Sequence, residues 1–154
     1  MNSGASGYRY LLDTNIILYP NDPTDAARQR LASELLIRLV AESSAALPAQ
    51  ALAEFANVAL RKFRPSMDWS SIYRKVEELK QAFPVLPLTP EVVLEALRGV
   101  RDHLFSYYDA QIWAVAKIYE IPVVLSEDFN SGSVIEGIMF LNPFDETFDL
   151  TTIV

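Results

Sequence analysis

The 154-residue chain contains no cysteine and a single histidine, His103. The lack of cysteine excludes disulfide bonds and thiolate metal sites, and one histidine cannot build a histidine-rich zinc site. A metal bound by this protein must therefore be held mainly by oxygen ligands, which favours Mg²⁺ or Mn²⁺. Glycine is also scarce, and the five glycines do not form a glycine-rich phosphate loop.

Long apolar runs are missing as well. No stretch approaches the roughly 20 residues of a membrane span, and residues 1–7 lack the basic-then-apolar order of a signal peptide. Half of the residues are hydrophobic, which favours one compact domain and argues against disorder. We therefore expect a cytoplasmic protein with an N-terminal tail over residues 1–8 and a single domain over residues 9–154.

Strand-like and helical segments alternate along the chain. Short apolar runs predict strands at residues 9–12, 45–47, 85–88, 123–125 and 137–141. Apolar spacing and capping residues predict helices at about 26–42, 49–62, 69–83, 91–104 and 108–119. This alternation predicts a three-layer α/β/α domain with a central, mainly parallel sheet, in which ligands bind outside the carboxyl ends of the strands.

Acidic residues occupy four suggestive places in this pattern. Asp13 follows the first predicted strand, and Asp128 lies just past the fourth. Asp109 begins the last predicted helix, and Glu54 is the lone acid of a mostly apolar helix. Like charges brought close together raise one another's pKa values, and a bound cation reverses that penalty. The four acids together predict a metal-dependent nuclease, since carboxylate-held cations activate water and neutralise charge on a phosphate.

Each acid also has a purely structural alternative. Asp13 can cap a following helix or form an Asx-turn with the polar residues after it. Asp109 can be a helix N-cap, and Asp128 can be a turn residue after a strand. Glu54 is harder to explain in this way, because a lone acid in a buried helix either escapes at its edge or faces a polar site.

Several of these segments resemble the PIN-domain family, and specifically the small VapC-like toxins of prokaryotic toxin–antitoxin pairs. The resemblance covers essentially the whole chain, in the expected order. It is carried by residues 11–15 (Leu-Leu-Asp-Thr-Asn), 51–55 (Ala-Leu-Ala-Glu-Phe), 108–110 (Tyr-Asp-Ala), 124–128 (Val-Leu-Ser-Glu-Asp) and the ending from Gly137 to Phe144.

The resemblance implies an endoribonuclease that uses Mg²⁺ or Mn²⁺ and a water nucleophile. The residues implied to hold the metal and activate the water are Asp13, Glu54, Asp109 and Asp128. Those implied to support the site by hydrogen bonding are Thr14, Asn15 and Ser126. Many members carry a further acid about two residues after the fourth, where this chain has Asn130 and Ser131. The presence of a second metal therefore stays open.

The resemblance also implies an antitoxin protein that inserts a segment into or over the acidic mouth, by which we mean the edge of the sheet where the four acids are expected. The apolar faces of the helices at 26–42 and 69–83 are candidates for a homodimer or for that partner, with core packing as the simpler interpretation.

The net charge of −7 looks unfavourable for RNA, but basic residues are concentrated in the middle of the chain. Eight of the thirteen lie in residues 61–101: Arg61, Lys62, Arg64, Arg74, Lys75, Lys80, Arg98 and Arg101. We expect Arg61, Lys62 and Arg64 to contact RNA through its phosphates. The alternative is a set of solvated helix faces.

The sequence lacks the residues that other kinds of hydrolytic site require. A Ser–His–Asp hydrolase would need His103, which we expect to be a solvated surface residue next to Asp102. Two rival functions remain. One is a PIN-like RNA- or protein-binding module without catalysis. The other is a DNA-directed 5′-nuclease, which would normally need a longer chain.

Overall fold

One six-stranded sheet organises the protein, in a computed structural model that describes residues 7–63 and 67–153. Its strands run in the order β3-β2-β1-β4-β6-β5, and neighbours are parallel except β5 and β6. The strands are β1 (Tyr10–Leu12), β2 (Ala45–Pro48), β3 (Val85–Leu86), β4 (Val123–Leu125), β5 (Val134–Ile135) and β6 (Ile138–Leu141). The predicted α/β class with a mainly parallel sheet is confirmed.

In the described part of the chain, six α-helices connect and cover these strands. They are α1 (Thr14–Leu18), α2 (Ala26–Glu42), α3 (Ala49–Arg61), α4 (Trp69–Ala82), α5 (Pro90–His103) and α6 (Tyr107–Ile118). Five of them match the predicted helices to within one or two residues. The short helix α1 and the two-residue strand β5 were not predicted, because neither is long enough to show a hydrophobic period.

Alternation along the central strands creates two separate cores. Tyr10 and Leu12 point to a core shared with α1, α2, α3 and α4, whereas Leu11 points to the opposite core. That second core is built largely from α5 and α6 and includes the fully buried Trp113. Because successive strand residues face opposite sides of a sheet, three consecutive apolar residues supply both layers.

His103 is not the solvated residue that the sequence suggested. Its side chain is about one-quarter exposed (26 %), pairs with Glu136, and contacts the Trp113 ring edge-on at 5.5 Å between centroids. The reason is that α5 ends against α6, so the last turn of α5 carries His103 onto the buried tryptophan.

No helix in the described part of the chain combines the length and the apolar character that crossing a bilayer requires. Of the predicted tail over residues 1–8, residues 1–6 lie outside the described part.

Gly99 of α5 packs closely against the Trp113 ring of α6. A Cβ atom there would lie 2.8 Å from Cζ3 of Trp113 and 2.9 Å from Cε3. Since both helices are packed around this ring, Gly99→Ala should lower the free energy of unfolding by about 1–2 kcal/mol, despite the better helix propensity of alanine. Urea denaturation measures the change. The control is Leu94→Ala on an exposed face of α5, which should stay within about 0.5 kcal/mol of wild type. Equal stabilities for wild type and Gly99→Ala would contradict the packing.

Candidate active site

Asp13 stands where the two central strands end. Its backbone N–H donates to the Leu125 carbonyl (3.0 Å), which fixes the residue between β1 and β4. Its side chain is nearly buried, with one carboxylate oxygen accepting from the Thr14 N–H (2.7 Å) and the other from the Ser126 hydroxyl (2.6 Å). Asp13 therefore also caps α1, so the structural alternative is true alongside any chemical role.

Burial is the largest cause that raises the pKa of Asp13, to about 6. The hydrogen bonds from Ser126 and Thr14 oppose this shift, and the charges of Asp128 and Glu54 add to it. Asp13 thus lies in the field of two of the other predicted acids.

Glu54 is held by hydrogen bonds to both of its carboxylate oxygens. Oε2 accepts from the Thr14 hydroxyl (2.8 Å), and Oε1 accepts from the Gln50 amide one helical turn earlier (2.6 Å). The Gln50 carbonyl in turn accepts from the amide of Gln111, a buried residue of α6 (2.6 Å). This chain of donors, which we call the Glu54 relay (Thr14, Glu54, Gln50, Gln111), ties α1, α3 and α6 together and fixes one carboxylate orientation.

Asp128 follows β4 in an exposed turn at the same sheet edge. Its N–H donates to the Ser126 hydroxyl (3.1 Å), so one serine joins Asp128 to Asp13. One carboxylate oxygen accepts from the Asn15 amide (3.1 Å). Partial burial raises the pKa of Asp128, and the charges of Asp109 and Glu127 raise it further.

Asp109 lies in the first turn of α6, three residues after the N-cap position, which Ser106 occupies. The Asp109 side chain makes no hydrogen bond to the described residues, so the structure gives it no capping role. Its charge acts on Asp128, which places it within electrostatic range of the same edge. The four predicted acids are thus coupled electrostatically at this edge, Asp13 with Asp128 and Glu54, and Asp128 also with Asp109 and Glu54.

Glu127 is a fifth acid at this edge, but it is neutralised. It accepts hydrogen bonds from the Tyr19 hydroxyl and from Nε of Arg28 (3.2 Å). By contrast, none of the four predicted acids forms an ion pair with any residue that the structure describes. Uncompensated carboxylates at a partly buried edge are costly, and a cation is the simplest compensation.

The mouth suits a divalent cation in the chemistry of its donors but not in their spacing. The donors have suitable chemistry, since Mg²⁺ and Mn²⁺ prefer oxygen ligands and the mouth offers four carboxylates. It also contains Oδ1 of Asn15, a buried oxygen with no hydrogen-bond partner among the described residues. However, over residues 7–63 and 67–153, no three acidic or histidine side chains stand close enough together to hold an ion. Binding would therefore have to draw the carboxylates closer together.

The basic residues of the middle segment do not form one surface. Arg98 pairs with Glu95, Asp102 and Glu136, and Lys75 pairs with Glu78. Lys62 lies beside the mouth instead, lining a cavity of about 390 Å³ that Asn15 and Glu127 also line. Arg61 is exposed at the end of α3, and Arg64 lies outside the described residues.

The sequence analysis missed Gln50 and Gln111, which complete the Glu54 relay. A signal for Gln111 was present, because it is the only polar residue between Ala110 and Ala116. The reasoning that singled out Glu54, a lone polar side chain in an apolar helix, applies equally to Gln111. Gln50 had no comparable signal, since it is the second residue of α3, where a polar side chain is common.

Comparisons with known proteins agree on the fold. The PIN domain family model matches residues 10–131. Among solved structures, a toxin–antitoxin complex from Klebsiella pneumoniae is similar with a TM-score of 0.64 at 16% identity, covering 88% of this chain and 98% of that one. PAE2754 from Pyrobaculum aerophilum is similar with a TM-score of 0.59 at 22% identity, covering 82% and 79%.

The sarcin–ricin loop cleaving toxin VapC20 from Mycobacterium tuberculosis is also similar, with a TM-score of 0.58 at 20% identity, covering 75% of this chain and 86% of that one. No curated protein sequence matches the chain. At these identities the likeness concerns the fold alone.

The raised pKa of Asp13 predicts how stability depends on pH in the absence of metal. A native pKa of about 6 against 3.8 in the unfolded chain means that the native state retains a proton that the unfolded chain has released. The resulting stabilisation is complete below pH 3.8 and is lost as the pH rises to about 6. The loss should be on the order of 2–3 kcal/mol.

Asp13→Asn should therefore show a smaller fall in unfolding free energy between pH 4 and pH 7 than wild type. Urea denaturation in EDTA measures this. Glu34→Gln, an exposed acid of α2, is the control and should keep the wild-type pH dependence. An unchanged dependence in Asp13→Asn would show that Asp13 ionises normally.

Proposed function

The chain belongs to the PIN domain family, and on that premise we propose that it is a metal-dependent endoribonuclease, the toxin of a toxin–antitoxin pair. One observation carries the proposal: four carboxylates at the carboxyl edge of the sheet are coupled electrostatically and have no cationic partner among the described residues. The relatives described as toxins, one of which cleaves the sarcin–ricin loop, add support at the level of the fold.

Asp13, Glu54, Asp109 and Asp128 would hold Mg²⁺ or Mn²⁺. The ion would supply charge neutralisation on the phosphate and a more acidic water as nucleophile. In the net hydrolysis a water oxygen would bond to phosphorus, one backbone P–O bond would break, and the proton lost by the water would end on the leaving oxygen. RNA is thereby cut within the strand.

The protein's own contribution is to fix these oxygens before substrate arrives. Ser126 and the Thr14 N–H orient Asp13, the Glu54 relay orients Glu54, and Asn15 orients Asp128. Side chains held by neighbours lose little freedom when they bind, which favours a preorganised site.

One observation favours the alternative of a catalytically inactive PIN-like module that binds RNA or protein. The described residues do not form a ready three-ligand cluster, so a protein that never binds metal would have the same geometry. Activity assays separate these two functions.

Loss of single acids tests the nuclease directly. The purified protein should cut RNA with Mg²⁺ or Mn²⁺ and stop in EDTA. Asp13→Asn and Asp109→Asn should each lower the cleavage rate by about 100-fold or more, because water activation and charge neutralisation both depend on the metal site. Glu34→Gln should cleave at the wild-type rate.

Full cleavage in EDTA, or by Asp13→Asn, would refute the metal mechanism. RNA binding without any cleavage in either metal would favour the inactive module.

Lys62 tests the path of the RNA. We expect Lys62 to contact an RNA phosphate beside the mouth. Lys62→Ala should therefore weaken RNA binding and reduce the slope of log K against log salt concentration by about 1. Fluorescence anisotropy over a series of salt concentrations measures both. The matched control is Lys75→Ala, whose lysine pairs with Glu78 on α4. A wild-type slope in Lys62→Ala would place the RNA elsewhere. Contacts by Arg61 and Arg64 stay predictions of the sequence.

An antitoxin protein is the proposed partner, and similar structures include DNA-bound complexes of VapBC from Salmonella typhimurium. For the homodimer, the structure offers an apolar groove of about 510 Å³ between α2 and α4. Ile37, at 71% exposure, lines that groove together with Leu36 and Leu79. We propose that a second copy covers it.

A further inference from the structure

A cavity of about 770 Å³ opens beside Glu54, between α3 and the first turn of α6. Glu54 forms part of its wall, so the cavity adjoins the acidic mouth. Its volume lies in the range of about 300–1,000 Å³ that is usual for small-ligand sites. Nothing in the proposed metal chemistry uses this space.

The cavity has an aromatic wall. Tyr108 is 64% exposed, and its ring packs edge-on against Tyr107 with the centroids 5.3 Å apart and the planes at 70°. Tyr107 is half-buried against the core under α6. The exposed ring is therefore held in place by a half-buried one, and Leu88, 50% exposed, adds a further apolar surface. Such a surface suits a flat ring that stacks.

The charge of the lining excludes a phosphate. Among the residues that the structure describes, no lysine or arginine lines the cavity, and the one charged group in its lining is the carboxylate of Glu54. An anion would be repelled there, whereas a neutral planar group would not. The side chains of Asn57 and Tyr108 make no hydrogen bonds to the described residues, so both remain available to the polar edge of a ligand.

The position relative to the acids also matters. Tyr108 directly precedes Asp109 in the first turn of α6, and Glu54 belongs to both the cavity and the mouth. A group bound against Tyr108 is thus a near neighbour of whatever the carboxylates act on. In a nucleic acid strand, the neutral planar group next to a phosphate is a base.

We propose that this cavity is a nucleobase subsite: it takes the base of an RNA nucleotide adjoining the phosphate that is cut, stacked on Tyr108 and hydrogen-bonded by Asn57. The proposal rests on the proposed ribonuclease function. It adds that base stacking, in addition to phosphate contacts, determines how the strand lies across the mouth.

The test compares RNA with and without bases. Anisotropy would measure binding of two labelled 10-nucleotide probes, a random-sequence RNA and an abasic ribose-phosphate chain, to protein made non-cleaving by Asp13→Asn, with Mg²⁺ present. Adding Tyr108→Ala should weaken binding of the base-containing probe about 5- to 100-fold and leave the abasic probe unchanged. Tyr108→Trp should preserve binding. Tyr73→Ala, an equally exposed tyrosine of α4, is the matched control and should change neither probe.

Unchanged affinity of Tyr108→Ala for the base-containing probe would overturn the subsite, as would an equal loss for both probes. Weaker binding of the cognate antitoxin by Tyr108→Ala, with RNA binding intact, would assign the cavity to the protein partner and likewise overturn the subsite.

Cleavage by the otherwise wild-type enzyme separates this proposal from the nuclease itself. Tyr108→Ala should raise KM for RNA and still cut it, whereas Asp13→Asn should not cut. Cleavage by Tyr108→Ala with unchanged KM refutes the subsite and leaves the nuclease standing. No cleavage by wild type, together with a Tyr108-dependent loss of RNA binding, refutes the nuclease and supports the subsite.

Discussion

The hydrogen bonds of Asp13 are the constraint on which the rest of the mouth depends. One residue ends β1, bonds through its N–H to β4, begins α1 through its carboxylate, and receives the hydroxyl of Ser126. Because α1 begins there, Thr14 and Asn15 point toward Glu54 and Asp128. A single short turn of chain thus positions three of the acids, Asp13, Glu54 and Asp128.

The negative charges at the mouth are tolerated because the protein donates hydrogen bonds to some of the four carboxylates and not to others. Both oxygens of Asp13 and both oxygens of Glu54 accept hydrogen bonds from the protein, whereas Asp109 receives none from the described residues. Hydrogen bonds to a carboxylate favour its charged form and partly offset burial. The last member of the Glu54 relay, Gln111, lies within the apolar face of α6. A buried glutamine there would otherwise be a liability, and the bond to Gln50 satisfies it.

Most of the architecture could be predicted from the sequence, since the apolar strands and amphipathic helices are long enough to show their periods. The site was predictable wherever a polar residue interrupted an apolar pattern, as at Glu54, or followed a strand, as at Asp13. Pairing between distant residues was not predictable. From the sequence, Arg98 was expected to be a free positive charge, but in the fold it pairs with Glu136. His103 was expected to be solvated, but its ring packs against Trp113. Side-chain neutralisation of this kind depends on contacts between elements that no local pattern encodes.

The sheet ends in very short strands on both sides, β3 and β5, each of two residues. β5 also runs antiparallel to its neighbour, so the ladder reverses direction at that margin. A strand of two residues offers few unpaired backbone groups, which is how natural sheets avoid templating another chain. The protein can therefore expose apolar helical surface to partners at low risk of self-association into fibrils. Fibrils grow by pairing at long sheet edges, and both edge strands here are too short for that.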